Sequence, residues 1–574
     1  MKFTQLSSTL LTTLLVGESF WHDSSARLLQ VVLATAFISK GWLLYFKPGF
    51  LEFFGLKLIG LDGLTEIQAI RESFIGVYLY LTTCLSALSF GSCFLFGRAI
   101  GRLLALRRKE SKLSNVHLKV ALAEFFGGIS CLIFYLKERN AKQVSDLAVT
   151  NLYRRQHPDP QHLQDYVPYC QENLQNPYPF YNQLRKDAPV YKPLGLDYYL
   201  ISRAEDIMSV CKHPEIYSSN LASILIQGQG GRSSNFDITH MLSSIGFIDS
   251  LAIQDPPVHT IERKFVSTGL SPRLFESIEY KIRDKARFLL ESFKVRSVGD
   301  WMDQVALRLP MQIALELCGF QCDYETAKEV KEKLDHSVSL LNGTNTPDEF
   351  LAHVQEAMKV FFWIRNQLTE VLDSDVENQT DLMKSLSKGL QQRELSVAEV
   401  ESMVFQILAA GNDSSAATMG HAMKILCDRQ DIQAELRKDL SLIPTFIEEI
   451  LRFESPFSGH FRKVLKETHL AGVNLKPGDR LMLLWGSANR DESFWENPNE
   501  FRMDRGSKGR SHFSFGHGIH TCLGNNLAKR EVRIVLEEVL KAFSSIQQAK
   551  HAPKFYYVPS SFTRSLARYH VELH

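Results

Sequence analysis

The stretch from Ser511 to Glu531 places a single cysteine, Cys522, after two closely spaced glycines. Gly516 and Gly518 have no side chain beyond hydrogen, so the backbone there can come close to a flat ligand. Cysteine binds metals as the thiolate. The residue types and their spacing therefore indicate a cysteine ligand for a metal that is held in a flat group.

A helix is expected directly after this cysteine. Gly524 allows a tight turn, and helical periodicity runs from Asn526 to Phe543. The sulfur of Cys522 would then face free N–H groups at a helix N-terminus, which favour thiolate over thiol. One alternative is a purely structural cysteine. The other is a zinc site, in which the glycines would have no purpose; its further ligands would be His512, His517 and His520.

A second pair of candidates lies in the apolar segment 396–426. Ser396 and Glu399 have the spacing of a capping box, which predicts one long helix starting there. Asp413 and Ser414 stand in the middle of this helix. An acid beside a hydroxyl within an apolar helix suits proton delivery. Taken alone, the same pair is typical of a helix kink or cap.

The cysteine segment resembles the haem-ligand signature of the cytochrome P450 family, and Ala410–Ser414 resembles the family's oxygen-activation motif. Small residues at 410 and 411 leave room for oxygen, and Ser414 stands where threonine is commoner. The resemblance implies haem b with Cys522 as the axial iron ligand and with Asp413 and Ser414 relaying protons. A thiolate ligand favours O–O cleavage. The residues that match the haem signature are Phe515, Gly516, Gly518, His520, Cys522 and Gly524.

Glu449 and Arg452 match the family's Glu-x-x-Arg motif. They lie three residues apart in an expected helix, so they share a face and can pair. The resemblance implies a structural role on the haem side of the core. Where the family often adds an arginine in a Pro-x-Arg-Phe motif, this chain has Glu500. Arg502 and Arg505 are both candidates to replace that arginine.

Four further residues match positions that hold the haem propionates in bacterial-type relatives. His259 and Arg263 lie one turn apart at an expected helix start, and Arg462 and His520 follow later in the chain. Cationic donors suit carboxylates at the edge of a buried macrocycle. The agreement of all four in order and spacing is what supports this assignment.

The resemblance covers about residues 165–574 and implies the mainly α fold of the family with a small β-sheet. The segment 467–484 alternates like paired strands. Substrate would be contacted by loops near 218–247 and 334–350. The preceding residues 143–164 are polar and contain two prolines, which indicates a linker.

Residues 1–142 differ in composition from the rest of the chain. The runs at 28–46 and 73–96 are long and apolar enough to span a membrane, and the run at 120–136 is marginal. We expect an all-α transmembrane domain of three or four spans in a multi-pass membrane protein. The basic residues at 98–112 and 137–142 leave the orientation open, and the haem domain is expected in the cytoplasm.

The overall composition argues against some classes of partner and of cross-link. The net charge of +1 in 574 residues gives no support for a nucleic-acid partner. The chain has nine cysteines, an odd number without recurring pairs, so a disulfide framework is not expected. Scattered thiols fit a reducing compartment.

The predicted activity is insertion of one oxygen atom from O2 into a lipophilic small molecule. No nucleotide-binding fingerprint or iron–sulfur cysteine cluster is present in the sequence, so electrons must come from separate proteins. A ferredoxin and a ferredoxin reductase using NAD(P)H are the expected partners. The alternatives are a peroxide-using or isomerising haem-thiolate enzyme, and a membrane haem sensor without turnover.

Overall fold

The computed structural model describes residues 171–193, 196–220, 223–227, 233–237, 248–321, 323–341 and 345–574. The predicted membrane domain at 1–142 and the predicted linker at 143–164 lie outside these ranges. Within the ranges, no helix combines the length and the apolar composition that crossing a bilayer requires.

Helices form most of the described chain. The longest, α11, has 32 residues, which corresponds to about 48 Å. Its N-terminus carries the expected capping box of Ser396 and Glu399. The helices are α1 (Gln171–Gln175), α2 (Tyr178–Asp187), α3 (Ala204–Lys212), α4 (Val258–Gly269), α5 (Pro272–Ser277), α6 (Glu279–Val295), α7 (Leu309–Leu317), α8 (Tyr324–Ser339), α9 (Pro347–Asp373), α10 (Asp381–Gln391), α11 (Val397–Asp428), α12 (Gln430–Lys438), α13 (Ile443–Phe453), α14 (Trp485–Ala488) and α15 (Asn525–Ala542).

The strands form small sheets. The largest has the order β1-β2-β10-β7-β3, in which only the β2–β10 pair is parallel. A second sheet has the order β11-β12-β6, and β4–β5 and β8–β9 are hairpins. The strands are β1 (Val190–Tyr191), β2 (Tyr199–Ile201), β3 (Tyr217–Ser218), β4 (Ser223–Gln227), β5 (Ser233–Asp237), β6 (Val298–Asp300), β7 (His460–Val464), β8 (Thr468–Leu470), β9 (Val473–Leu475), β10 (Arg480–Leu483), β11 (Ile546–Gln548) and β12 (His570–Leu573).

Helix α11 runs through the apolar core. In its second half, Met419 and Met423 pack in one buried cluster with Ile450 of α13 and Val535 of α15. Its first half belongs to another cluster, formed with α4, α7, α8, α9 and α10. The middle of α11 thus lies where the two clusters meet.

The start of the described chain is bonded to its last part. The side chain of Gln175 donates to the carbonyl of Tyr557 at 2.8 Å and accepts from the amide of Tyr557 at 2.7 Å. Strand β12 also pairs with β6, which lies much earlier in the sequence. The domain is therefore closed by contacts between residues hundreds of positions apart.

These observations confirm the expected fold class for the haem domain, a mainly helical chain with small sheets. The segment 467–484 contains β8, β9 and β10, as its alternation predicted. The helix after the cysteine begins at Asn525, one residue before the expected start.

Candidate active site

The segment before α15 forms a tight loop that presents Cys522. The amide of Cys522 donates to the carbonyl of Phe515 at 2.9 Å. The side-chain amide of Asn525 donates to the carbonyl of Cys522 at 2.7 Å. Gly524 is the N-cap of the helix. These bonds fix the cysteine at the N-terminus of α15.

The two glycines before the cysteine have left-handed backbones. Gly516 has φ +72° and Gly518 has φ +77°, values that favour glycine. A Cβ atom at Gly518 would lie 2.5 Å from the carbonyl oxygen of Cys211 in α3. The sequence suggested that these glycines let the backbone approach a flat ligand. For Gly518 the structure gives a different reason, the close packing of this loop against α3.

Burial raises the pKa of the Cys522 thiol above its ordinary value. Hydrogen bonds from the amides of Gly524 and Asn525, together with the charge of Arg263, lower the pKa by a smaller amount. The amides at the helix N-terminus therefore act in the expected direction, toward the thiolate, but burial has the larger effect. A metal ion bound to the sulfur would favour the thiolate further, because a coordinating thiol is deprotonated.

Four basic side chains from three elements converge beside this loop. His259 and Arg263 lie on α4, Arg462 on β7, and His520 in the loop itself. The ring centroids of His259 and His520 are 4.2 Å apart. A guanidinium nitrogen of Arg263 lies 2.5 Å from the carbonyl oxygen of Thr521, which ties α4 to the residue before the cysteine. The structure thus brings together all four residues predicted to bind propionates.

The cluster places two arginines beside a buried polar atom of His520. Burial, together with the charges of Arg462 and His259, lowers the pKa of His520 to about 3. The Nε2 atom of His520 is buried and has no hydrogen-bond partner among the described residues. Arg462 is 8% exposed. Asp255 interacts electrostatically with Arg462, and its carboxylate accepts a hydrogen bond from the amide of Ser219.

These groups fit haem. Two propionate carboxylates would supply acceptors for Arg462 and, when it carries a proton there, for the orphaned Nε2 of His520. Cys522 would bind the iron through its sulfur. The zinc alternative would use His512, but Nε2 of that residue lies 3.0 Å from a carboxylate oxygen of Glu448.

The centre of α11 carries the predicted proton-delivery residues. Ser414 donates its hydroxyl to the carbonyl of Ala410 at 3.2 Å. Asp413 accepts from the side chain of Asn412 at 3.0 Å. The structure describes no hydrogen bond between Asp413 and Ser414, so the two are neighbours on the helix but do not form a bonded pair here.

Asp413 instead faces helix α8. Its Oδ1 atom lies 3.3 Å from Nζ of Lys331, whose side chain is 11% exposed. The same ammonium group also bonds Asp335 on α8. The two α8 residues could not be predicted from the sequence, because they stand about 80 positions before Asp413 and no local pattern marks them.

The Glu449–Arg452 pair is fully buried and doubly bonded. Two nitrogens of Arg452 donate to the two carboxylate oxygens of Glu449 at 2.7 and 2.8 Å. Arg505 occupies the position left open by Glu500, because its Nε donates to both oxygens of Glu449. The side chain of Arg502 turns to Asp504 instead.

Two further titratable residues lie near the site, Glu531, which is buried, and His460, which is partly buried. Burial raises the pKa of Glu531 on α15 to about 8, and a hydrogen bond with Ser415 of α11 opposes this rise. His460 on β7 accepts from the indole of Trp485 at 2.7 Å, and burial lowers its pKa to about 3. Both stand in or next to predicted motifs, but nothing in the sequence shows how far they are buried.

Residues 215–571 match the protein-family model described as Cytochrome P450. Among curated proteins, Cytochrome P450 144 of Mycobacterium tuberculosis is 33% identical over 398 residues, which cover 69% of this chain and 89% of that protein. The Steroid C26-monooxygenase of Rhodococcus jostii is 27% identical over 375 residues, covering 63% of this chain and 75% of its own.

Solved structures show the same similarity. The cytochrome P450 CREJ, in complex with (4-ethylphenyl) dihydrogen phosphate, superimposes with a TM-score of 0.64 at 28% identity. The superposition covers 72% of this chain and 100% of that chain. CYP109E1 from Bacillus megaterium, in complex with testosterone, gives a TM-score of 0.60 at 24% identity, covers 70% and 99% of the two chains, and supports the fold alone.

Proposed function

Because the chain belongs to the cytochrome P450 family, we propose that it is a haem b monooxygenase that inserts one oxygen atom from O2 into a lipophilic small molecule. The observation that carries this proposal is the basic cluster beside Cys522. Arg263 bonds the carbonyl of Thr521, and a buried nitrogen of His520 has no hydrogen-bond partner in the part of the chain that the structure describes. A propionate carboxylate of haem would supply an acceptor for this nitrogen when it carries a proton.

Each part of the site then has a function. Bound haem supplies the reductive activation of oxygen. Cys522 holds the iron through Sγ, and His259, Arg263, Arg462 and His520 bind the two propionates. Apolar side chains pack around the first half of α11, next to the proton-delivery residues.

Proton delivery is assigned to Asp413 and Ser414. In the structure Asp413 is held by Lys331 and Asn412, and the Ser414 hydroxyl is donated to its own helix. Delivery therefore requires Asp413 to leave the lysine and turn toward the hydroxyl. Serine has the same hydroxyl as the commoner threonine but lacks the methyl group that restricts its rotation.

Electrons would come from a ferredoxin and a ferredoxin reductase that uses NAD(P)H. The proposed docking surface is the Cys522 side, where the exposed side chains of Lys212 and Arg510 supply positive charge near the loop. A negatively charged carrier is attracted to such a surface, and the attraction falls with ionic strength.

The membrane assignment is a separate proposal, which rests on the apolar runs at 28–46, 73–96 and 120–136. We propose a multi-pass anchor with the haem domain in the cytoplasm and a substrate that partitions into the bilayer. Fractionation of cells that express the full chain tests this, since resistance of the chain to alkaline carbonate extraction is expected. Complete release into the supernatant would contradict it.

The carbon monoxide difference spectrum of the reduced, purified chain tests the haem proposal. A band typical of thiolate-ligated haem is expected for the native chain and for Cys427→Ala, and its loss for Cys522→Ala. Cys427 is a matched control, since it is also a free, partly buried cysteine. An unchanged spectrum in Cys522→Ala would refute the assignment. Product formation with peroxide but none with NAD(P)H and ferredoxin would favour the peroxide-using alternative.

A further inference from the structure

Lys331 is shared by two carboxylates on different helices. Its ammonium group bonds Asp335 one turn along α8 and also lies 3.3 Å from Oδ1 of Asp413 on α11. The exposed fraction of the side chain is 44% for Asp335, 11% for Lys331 and 20% for Asp413. The three groups therefore connect the protein surface with the centre of α11.

One positive charge cannot fully neutralise two carboxylates. In a partly buried position, the loss of hydration strengthens the attraction of Lys331 for each acid and the repulsion between the acids. Burial and the charge of Asp413 raise the pKa of Asp335, to about 6, although Lys331 opposes this. Asp335 is thus the member of the group whose charge changes at mildly acidic pH.

The surroundings of Asp335 are otherwise modestly charged. On α8 its neighbours are Lys331 and Glu332, and α11 contributes Asp413. Helix α9 contributes His353, whose Nδ1 lies 2.7 Å from that of His336, the residue after Asp335. The state of Lys331 is therefore set mainly by the two aspartates.

We propose that Asp335 is a positioning residue for proton delivery, because its carboxylate competes with Asp413 for Lys331. When Asp335 is ionised, it draws the lysine, and Asp413 is free to turn toward Ser414. When Asp335 is protonated, the lysine stays with Asp413. This inference rests on the proposed function.

The proton balance is simple. Asp413 releases one proton toward Ser414 and takes one from solvent, and no bond other than O–H is made or broken. Asp335 neither donates nor accepts the delivered proton. Its ionisation changes only the fraction of time that Asp413 is released, so turnover should decline as the pH falls below about 6.

Asp335→Asn tests the competition, with Glu329→Gln as the matched control. Glu329 also bonds a lysine one turn along α8, Lys333, but both lie away from Asp413. The readout is oxygen consumption driven by NADPH through a plant-type ferredoxin and its reductase, measured against pH. Asp335→Asn should reduce the rate several-fold, less than the roughly 100-fold expected for loss of a general acid, and should remove the decline at acidic pH. Glu329→Gln should keep the native profile.

Lys331→Met provides the decisive comparison. If the aspartates act through this lysine, Asp335→Asn should have no further effect in the Lys331→Met background. Additive effects of the two substitutions, or a native pH profile in Asp335→Asn, would overturn the inference.

A spectroscopic titration separates this inference from the proposed function. Infrared spectra of the full chain with ¹³C-labelled aspartate should show a carboxylic acid band that disappears as the pH rises through about 6. The band should be absent in Asp335→Asn and should persist to higher pH in Lys331→Met. Failure of the haem proposal would instead appear as native protein without oxygen consumption or a carbon monoxide band, whatever the infrared result.

Discussion

Arg505 bonds both oxygens of the Glu449 carboxylate through a single nitrogen, at 3.0 and 3.1 Å. Its other nitrogens donate to the carbonyls of Glu496, Asn497 and Glu500. The glutamate also binds Arg452, so one buried acid holds two arginines. Through these bonds Glu449 joins helix α13 to the segment that precedes the cysteine loop.

The substitution Arg505→Gln should destabilise the domain strongly. The side chains of Arg505 and Glu449 are 6% and 2% exposed, and loss of one partner of a buried pair costs about 3–5 kcal/mol. Arg502→Gln is the control, since Arg502 pairs with exposed Asp504 and its loss should cost at most about 1 kcal/mol. Urea unfolding of both variants measures the difference, and equal midpoints would disprove the assigned function of Arg505.

Gly518→Ala should prevent normal formation of the cysteine loop. The new Cβ would lie 2.5 Å from the carbonyl oxygen of Cys211. The alanine would also have to adopt the left-handed backbone conformation that Gly518 has. Gly478→Ala is a matched control, because φ is +95° there but nothing lies within 4 Å of the added atom. We expect the control to lose only about 1–2 kcal/mol. Haem content after purification is the measurement, and similar content in both variants would contradict the packing argument.

Arg462→Gln should weaken haem retention. A charge-assisted hydrogen bond contributes about 1.5–3 kcal/mol, so haem should dissociate roughly 10- to 100-fold faster. Lys463→Gln changes the next residue of β7, which is exposed, and should leave the rate unaltered. Transfer of haem to an acceptor protein gives both rates. If the two variants lose haem at the same rate, Arg462 does not bind a propionate.

Glu531 should make stability depend on pH. Its folded pKa is raised by burial to about 8, above the value of an unfolded glutamate, so the folded chain holds a proton that the unfolded chain has released. The contribution of protonated Glu531 to the free energy of unfolding is fully present below the unfolded pKa. As the pH rises from there to about 8, the free energy of unfolding falls by on the order of 1 kcal/mol per pH unit.

Glu531→Gln should remove this dependence, because the amide stays neutral and can still bond Ser415. Denaturant unfolding between about pH 5 and pH 9 measures the free energy of unfolding for both chains. As the pH rises to about 8, the free energy of unfolding of the variant should increase relative to that of the native chain. Above about pH 8 the difference should stay constant. Parallel curves over the whole range would show that Glu531 ionises normally.

The parts of the site that could be predicted from the sequence are local. The loop around Cys522 and the helix after it are encoded within about 20 residues, so their pattern can be recognised directly. The capping box at Ser396 is likewise a contact over three residues. Local rules of turn and cap formation are sufficient for such features.

The parts that could not be predicted depend on tertiary contacts. Arg502 and Arg505 were equal candidates because the path of the intervening loop decides which guanidinium reaches Glu449. Lys331 and Asp335 are ordinary helix residues until α8 packs against α11. The hairpin β4–β5 was also unforeseen, because its second strand, Ser233–Asp237, is polar and lacks alternation.

The reciprocal bonds between Gln175 and Tyr557 have a consequence for synthesis of the chain. Helix α1 is among the first described elements to leave the ribosome, yet its partner emerges nearly four hundred residues later. Strand β6 likewise cannot form its pair with β12 until β12 has been synthesised. The nascent domain thus stays open at one edge until residues 557–573 have been synthesised, and during this interval its interior is accessible to a chaperone or to an incoming porphyrin.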